Sequence, residues 1–109
     1  MSRLHVGARA PWAVPFVFST GTLDGTTIDR VLLRIVKPSG AVLDAVDAAP
    51  SASALASVTA LWVLAADGSS VTEDGAHVSR CYFYSAADAL LGWSEPVSFT
   101  VDPNPVAFP

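Results

Sequence analysis

Short runs of alternating apolar residues, separated by clusters of turn formers, are the feature of this chain that most constrains its fold. The first run places four large apolar side chains at every second position: Trp12, Val14, Phe16 and Phe18. This is the spacing of a β-strand that buries one face. Pro15 falls on the opposite face, and because proline has no N–H to donate to a sheet, it predicts an edge strand or a bulge.

The clearest hairpin spans residues 30–46. Branched apolar residues fill most of 30–37, which predicts a strand. The sequence Pro-Ser-Gly at 38–40 predicts a tight turn, because proline presets its backbone angle and glycine tolerates a positive φ. Residues 41–45 then return as the partner strand, and the pattern breaks again at 50–53.

The segment 54–66 is ambiguous. Its alanines and leucines suit a helix, whereas its valines, threonine and tryptophan prefer a strand. A strand over 57–65 is predicted, because the neighbouring segments are strands and the turn formers at 67–70 end it. A strand over 77–84, a loop over 86–92 and a last strand over 97–101 complete the series.

Together these segments predict an all-β fold, an antiparallel two-sheet sandwich of six or seven strands. The sandwich domain covers residues 12–102. Residues 1–11 are polar with little periodicity and are predicted to be an N-terminal arm. Residues 103–109 hold several prolines and are predicted to be an extended C-terminal tail, since proline cannot join a sheet interior.

Charged residues are few for the apolar content. They make up 15% of the chain, although 51% is hydrophobic, against about 25% charged in a typical soluble domain. A monomer of this composition exposes apolar surface, and large exposed patches mark interaction sites. Two interpretations remain open: a subunit partly buried in a larger assembly, or a bias toward Ala and Val, whose small side chains form no adhesive patch.

The charges are distributed unevenly. Residues 1–40 carry five basic and two acidic groups, whereas 41–109 carry eight acidic groups and one basic group, Arg80. Nucleic acid is therefore not expected as a partner, because binding phosphates needs a clustered basic face. The opposite signs favour head-to-tail contact between copies, or they are the ordinary scatter of a solvated surface.

Cysteine content and hydropathy give no sign of a disulfide, a membrane span or a signal peptide. Cys81 is the only cysteine, so no intrachain disulfide forms, and its apolar surroundings predict a small buried residue. Residues 60–66 are the longest wholly apolar run, far short of the roughly 20 residues that cross a bilayer. The first residues show no apolar signal region. A soluble protein with no membrane partner is expected.

No constellation of residues predicts catalysis. The two histidines are His5, in the predicted arm, and His77, whose expected role is packing or a backbone hydrogen bond. A hydrolase needs a base beside its nucleophile, and no such pair is evident. Asp44 with Asp47, or Glu73 with Asp74, suits at most weak calcium binding; solvated turn carboxylates are the alternative. No enzyme, cofactor, metal site or small-molecule substrate is expected.

The tryptophans raise the question of sugar binding, since exposed aromatic faces stack on sugars. Trp12 and Trp62 lie in alternating apolar strands, where core positions are expected. Trp93 follows Gly92 in a predicted loop and is the tryptophan expected at the surface. Ligand binding through Trp93, and packing or interface contact, are both left open.

Three segments carry a family resemblance: the strand and turn VLLRIVKPSG at 31–40, the acidic turn EDGAH at 73–77, and the closing strand SEPVSFTV at 94–101. Together they resemble the immunoglobulin-like β-sandwich domains of tailed-bacteriophage virion proteins, found in tails, necks and baseplates. The resemblance covers 30–101 loosely and implies an immunoglobulin-like sandwich with extended arms. His77 departs from it, standing where many immunoglobulin-like domains have a tyrosine.

The resemblance and the composition converge on a non-enzymatic structural subunit of a phage particle, in the tail or the head–tail connector region. Its expected partners are other virion proteins and copies of itself. Its expected location is the virion, after synthesis in the host cytoplasm. A carbohydrate-binding or adhesin-type module is the alternative. The candidate contact residues are Arg3, Arg9, Trp93 and Phe108.

Overall fold

The computed structural model describes residues 4–9, 11, 13–48 and 50–103. These residues form eight β-strands and one short 3₁₀ helix. In chain order the elements are β1 (Ala13–Ser19), the 3₁₀ helix (Gly25–Thr27), β2 (Arg30–Val36), β3 (Val42–Ala48), β4 (Pro50–Ser53), β5 (Ser57–Val63), β6 (Gly75–Tyr84), β7 (Leu90–Trp93) and β8 (Val97–Val101). None of the described helices is long and apolar enough to cross a membrane.

The strands form two antiparallel sheets, which confirms the predicted all-β sandwich. The smaller sheet has the order β1-β5-β4. In the larger sheet β3, β2 and β6 are neighbours, and β7 and β8 both pair with the far side of β6. Because β3 pairs with β2 and β4 pairs with β5, the chain changes sheet between these two consecutive strands. This division of the strands is that of an immunoglobulin-like sandwich.

Local sequence signals account for the hairpin and for the first strand. Strands β2 and β3 flank a turn in which Gly40 takes a φ of +89° and donates its N–H to the Lys37 carbonyl. In the smaller sheet β1 pairs with β5 alone and is an edge strand, as Pro15 predicted. The ambiguous segment forms β5, a strand, as predicted.

The structure adds two short strands to those expected. Residues 50–53, predicted as a break, form β4, and part of the predicted loop 86–92 lies in β7. Both are four residues long and lie at sheet edges, and both pair with a register shift. Backbone hydrogen bonds to a preformed neighbour define such strands, so they need no alternating side chains of their own. Pro50 is tolerated because it is the first residue of an edge strand.

The core lies between the two sheets. The smaller sheet buries Phe16, Phe18 and Trp62, which confirms the predicted core position of Trp62. The larger sheet contributes chiefly branched and aromatic side chains of β2 and β6: Val31, Leu33, Ile35, Cys81 and Phe83. The ring of the half-buried Phe99 on β8 lies 5.1 Å from the ring of Phe16, centroid to centroid, and joins the two layers.

Residues 4–9, part of the predicted N-terminal arm, lie against the sandwich. Leu4 and Ala8 are buried in the core. His5 forms a parallel bridge with Asp102, whose N–H donates to the Leu4 carbonyl at 2.9 Å. Residues 4–9 therefore pack beside the end of β8.

Position 25 requires glycine, because the backbone of Ala54 lies too close for any side chain. A Cβ built on Gly25 would lie 2.1 Å from the carbonyl oxygen of Ala54, where the neighbour is backbone that cannot move aside. We expect Gly25→Ala to lower the free energy of unfolding by about 1–3 kcal/mol, as overpacking does. At Gly92 a Cβ would meet nothing within 4 Å, so Gly92→Ala serves as the matched control in urea unfolding. Equal stabilities for the two variants would contradict the close approach.

Cys81 is a free, fully buried thiol, as predicted, and burial raises its pKa to about 12. The thiolate is the reactive form. We therefore expect labelling by a thiol reagent at pH 7 to be about a thousandfold or more slower in the folded protein than in urea, because reaction requires unfolding. Rapid stoichiometric labelling in native buffer would contradict the buried position.

Candidate interaction surface

One surface of the larger sheet carries an unusual set of side chains. Side chains alternate between the two sides of a strand, so every second residue of β2 and β6 points away from the core. We call this surface the outer face; it consists of Arg30, Leu32, Arg34 and Val36 of β2, Val78, Arg80, Tyr82 and Tyr84 of β6, and Trp93 of β7. All of these residues are half-buried or exposed.

Two arginine–tyrosine pairs cross the centre of the outer face. Arg30 lies directly opposite Tyr84 in the sheet register, and its Cζ is 5.1 Å from the centre of the tyrosine ring. The Cζ of Arg34 is 5.3 Å from the centre of the Tyr82 ring. Cations at this distance from an aromatic face are attracted by its quadrupole. The pairs therefore hold two guanidinium groups against the tyrosine rings.

Carboxylates hold the same two arginines. Asp44 on β3 accepts hydrogen bonds from Nε of Arg34 at 2.8 Å and from Nη2 at 3.0 Å. This bidentate contact holds the pKa of the Asp44 carboxyl below its usual range and raises the pKa of Arg34. Asp88 accepts a hydrogen bond from Arg30. Much of the positive charge of the outer face is thus balanced within it.

Arg80 is different from the other two arginines. It lies directly opposite Arg34, and like charges in that position destabilise a sheet. Its Nε is buried and has no hydrogen-bond partner among the described residues. The side chain lines a shallow depression of about 220 Å³ together with Arg34, Val36, Val78, Ser79, Tyr82 and Pro96.

Large apolar side chains continue along the edge formed by β7 and β8. Trp93 is 61% exposed and lies opposite Tyr82, so the two aromatic residues are neighbours on the outer face. The exposed apolar residues beside it in the chain are Leu90, Leu91 and Val97. An aromatic side chain this exposed is typical of a binding surface.

Of the four predicted contact residues, Trp93 lies in the outer face. Arg9 is exposed and lies elsewhere, beside the turn at Gly68. Arg3 and Phe108 lie outside the described residues and stay predictions.

Sequence reasoning missed the arginine–tyrosine pairs and Arg80. Their signal was the recurrence of Arg80, Tyr82 and Tyr84 at every second position of a predicted strand. Which residues they would face depends on the register between β2 and β6, and strand spacing alone does not define that register.

Two of the residues considered for chemistry, His77 and Glu73, form contacts within the fold. His77 is buried, its Nδ1 donates to the Gly75 carbonyl at 3.1 Å, and its ring lies 5.1 Å from that of Phe99. This is the packing and backbone hydrogen bonding that was predicted. Both carboxylate oxygens of Glu73 accept hydrogen bonds from Ser39. No group of three or more potential metal ligands occurs within the part of the chain that the structure describes.

Comparison with protein-family models, with curated proteins and with solved structures found no match for this chain. What the chain does must therefore be inferred from its own surface.

The Arg34–Asp44 pair predicts a specific pH dependence. The pKa of Asp44 is lowered in the folded protein, so the pair contributes stability above the unfolded-state value of about 4 and loses it as the pH falls through the folded value. We expect NMR titration to give the Asp44 carboxyl a pKa below 3.8, and we expect this pKa to be higher in the variant Arg34→Gln. The stability difference between wild type and variant should shrink from pH 7 toward pH 2. An unchanged titration in the variant would contradict the pairing.

Proposed function

We propose that this chain is a non-enzymatic structural subunit of a phage particle, in the tail or the head–tail connector region, and that it acts through protein–protein contacts. Its partners are other virion proteins and further copies of itself. The outer face is the contact surface. The exposure of Trp93 beside Tyr82 is the observation that carries the proposal.

The composition of the outer face supports a protein partner. Tryptophan, tyrosine and arginine are the residues enriched among those that dominate binding energy at interfaces. The rigid backbone of the sheet and the stacked arginines hold these side chains in place before binding, which lowers the entropy lost on association. The low charge content of the chain supports the same interpretation, because apolar surface is stabilised when another protein covers it.

A pair of matched variants tests the contact surface. Trp93 on the outer face and Val63 on the smaller sheet are similarly exposed, at 61% and 69%. We expect Trp93→Ser to weaken association about thirtyfold or more, as loss of a central aromatic contact does, and Val63→Ser to have little effect. Sedimentation velocity over a range of concentrations measures self-association.

Photo-crosslinking from position 93 in assembled particles identifies other partners, with position 63 as the control. A chain that stays monomeric at high concentration and is found in no particle would contradict the proposal.

A carbohydrate-binding module is the second candidate, and the exposure of Trp93 is the observation that favours it. Tyr82, which lies opposite Trp93, and Arg34, which packs on Tyr82, carry hydrogen-bonding groups on the same face. Binding on a glycan array that Trp93→Ala abolishes and Trp93→Phe retains would favour the module over the structural subunit. If no glycan on the array binds the protein, the carbohydrate-binding alternative is rejected.

A further inference from the structure

We propose that the depression beside Arg80 binds the carboxylate of an acidic residue in an extended, otherwise apolar segment of a neighbouring protein. The inference rests on the proposed function, since it names the chemistry of the partner that the outer face holds. Beside Arg80, the depression is lined by Arg34, Val36, Val78, Ser79, Tyr82 and Pro96.

The depression exists because the edge of the larger sheet is interrupted. β7 ends at Trp93 and β8 begins at Val97. Between them Ser94 turns inward: its N–H donates to the Cys81 carbonyl at 2.8 Å, and its Oγ accepts from the Cys81 N–H at 2.9 Å. These bonds anchor the connection against Cys81 of β6. Arg80, which precedes Cys81 in β6, lines the depression that the connection leaves uncovered.

Arg80 lacks the partners that the other outer-face arginines have. Arg34 has its carboxylate in Asp44 and Arg30 has one in Asp88. Arg80 forms no ion pair among the described residues, and its buried Nε–H has no acceptor. A buried donor without an acceptor is costly, and the opposed Arg34 adds repulsion. A carboxylate that pairs with the Arg80 guanidinium in the depression offsets the repulsion between the two arginines.

The surroundings of Arg80 select the kind of anion. A guanidinium fork matches both carboxylate and phosphate. The carboxylates of Asp44 and Asp88 lie on the same face, and they repel a polyphosphate chain more than a single side chain. Val36, Val78 and Pro96 line the depression and suit apolar residues on either side of the acid. A shallow depression on a β-sheet suits an extended segment better than a bulky helix.

The probe is a pair of blocked peptides, acetyl-Val-Glu-Val-amide and acetyl-Val-Gln-Val-amide, titrated into the full ¹⁵N-labelled chain. The Arg80 Nε–H resonance reports binding at the depression. We expect it to shift saturably with the glutamate peptide. Binding of the glutamine peptide should be at least about tenfold weaker, because its amide oxygen lacks the charge of the carboxylate. Arg80→Gln removes the cation and should abolish this discrimination, which is then followed by the backbone amide resonances of Val78 and Tyr82. Lys37→Gln removes a cation outside the depression and should preserve the discrimination.

The two peptides binding equally, or inorganic phosphate shifting the Arg80 resonance as strongly as the glutamate peptide, would overturn the inference. Self-association that is lost in Arg80→Gln and kept in Lys37→Gln would support it and identify a second copy as the acidic partner. If Trp93→Ser weakens assembly while Arg80→Gln leaves it unchanged, the carboxylate site fails and the proposed function stands.

Discussion

The pairing of β2 with β6 is the interaction on which the rest of this structure depends. Seven consecutive antiparallel pairs join the strands, from Arg30 with Tyr84 to Val36 with Val78. Because side chains alternate, this one register places Leu33 and Ile35 in the core and the arginines with the tyrosines on the outer face. A slip by one residue would reverse both sides at once, so the core fixes the geometry of the candidate interaction surface.

Those parts of the fold that follow from local chemistry were predictable from the sequence. The Pro-Ser-Gly turn and its two branched strands define the hairpin, and alternation defines β8. β4 and β7 were not predictable, because their pairing comes from β5 and β6 rather than from their own side chains. The candidate surface was half predictable. The exposure of Trp93 was predicted from a loop, although the residue lies in β7. The contacts of Arg80 depend on tertiary register.

Carboxylates beside the outer face neutralise most of its positive charge. Asp44 and Asp88 come from elements that flank β2 and β6, and each binds an arginine that also packs on a tyrosine. Such a surface presents aromatic and guanidinium groups without a strong net field. It therefore suits close contact with protein better than long-range attraction of a polyanion, for which clustered, unbalanced basic groups are needed.

Arg80 is the exception to this balance. Leucine or threonine would suit its place opposite Arg34 better in an isolated sandwich, since neither adds repulsion nor a buried donor without an acceptor. Residues that break the local rules of folding are expected at functional or strained sites. The residue whose position is least explained by folding is thus also the one that borders the open depression. This coincidence separates the Arg80 site from the rest of the outer face, where a tyrosine ring and a carboxylate account for each arginine.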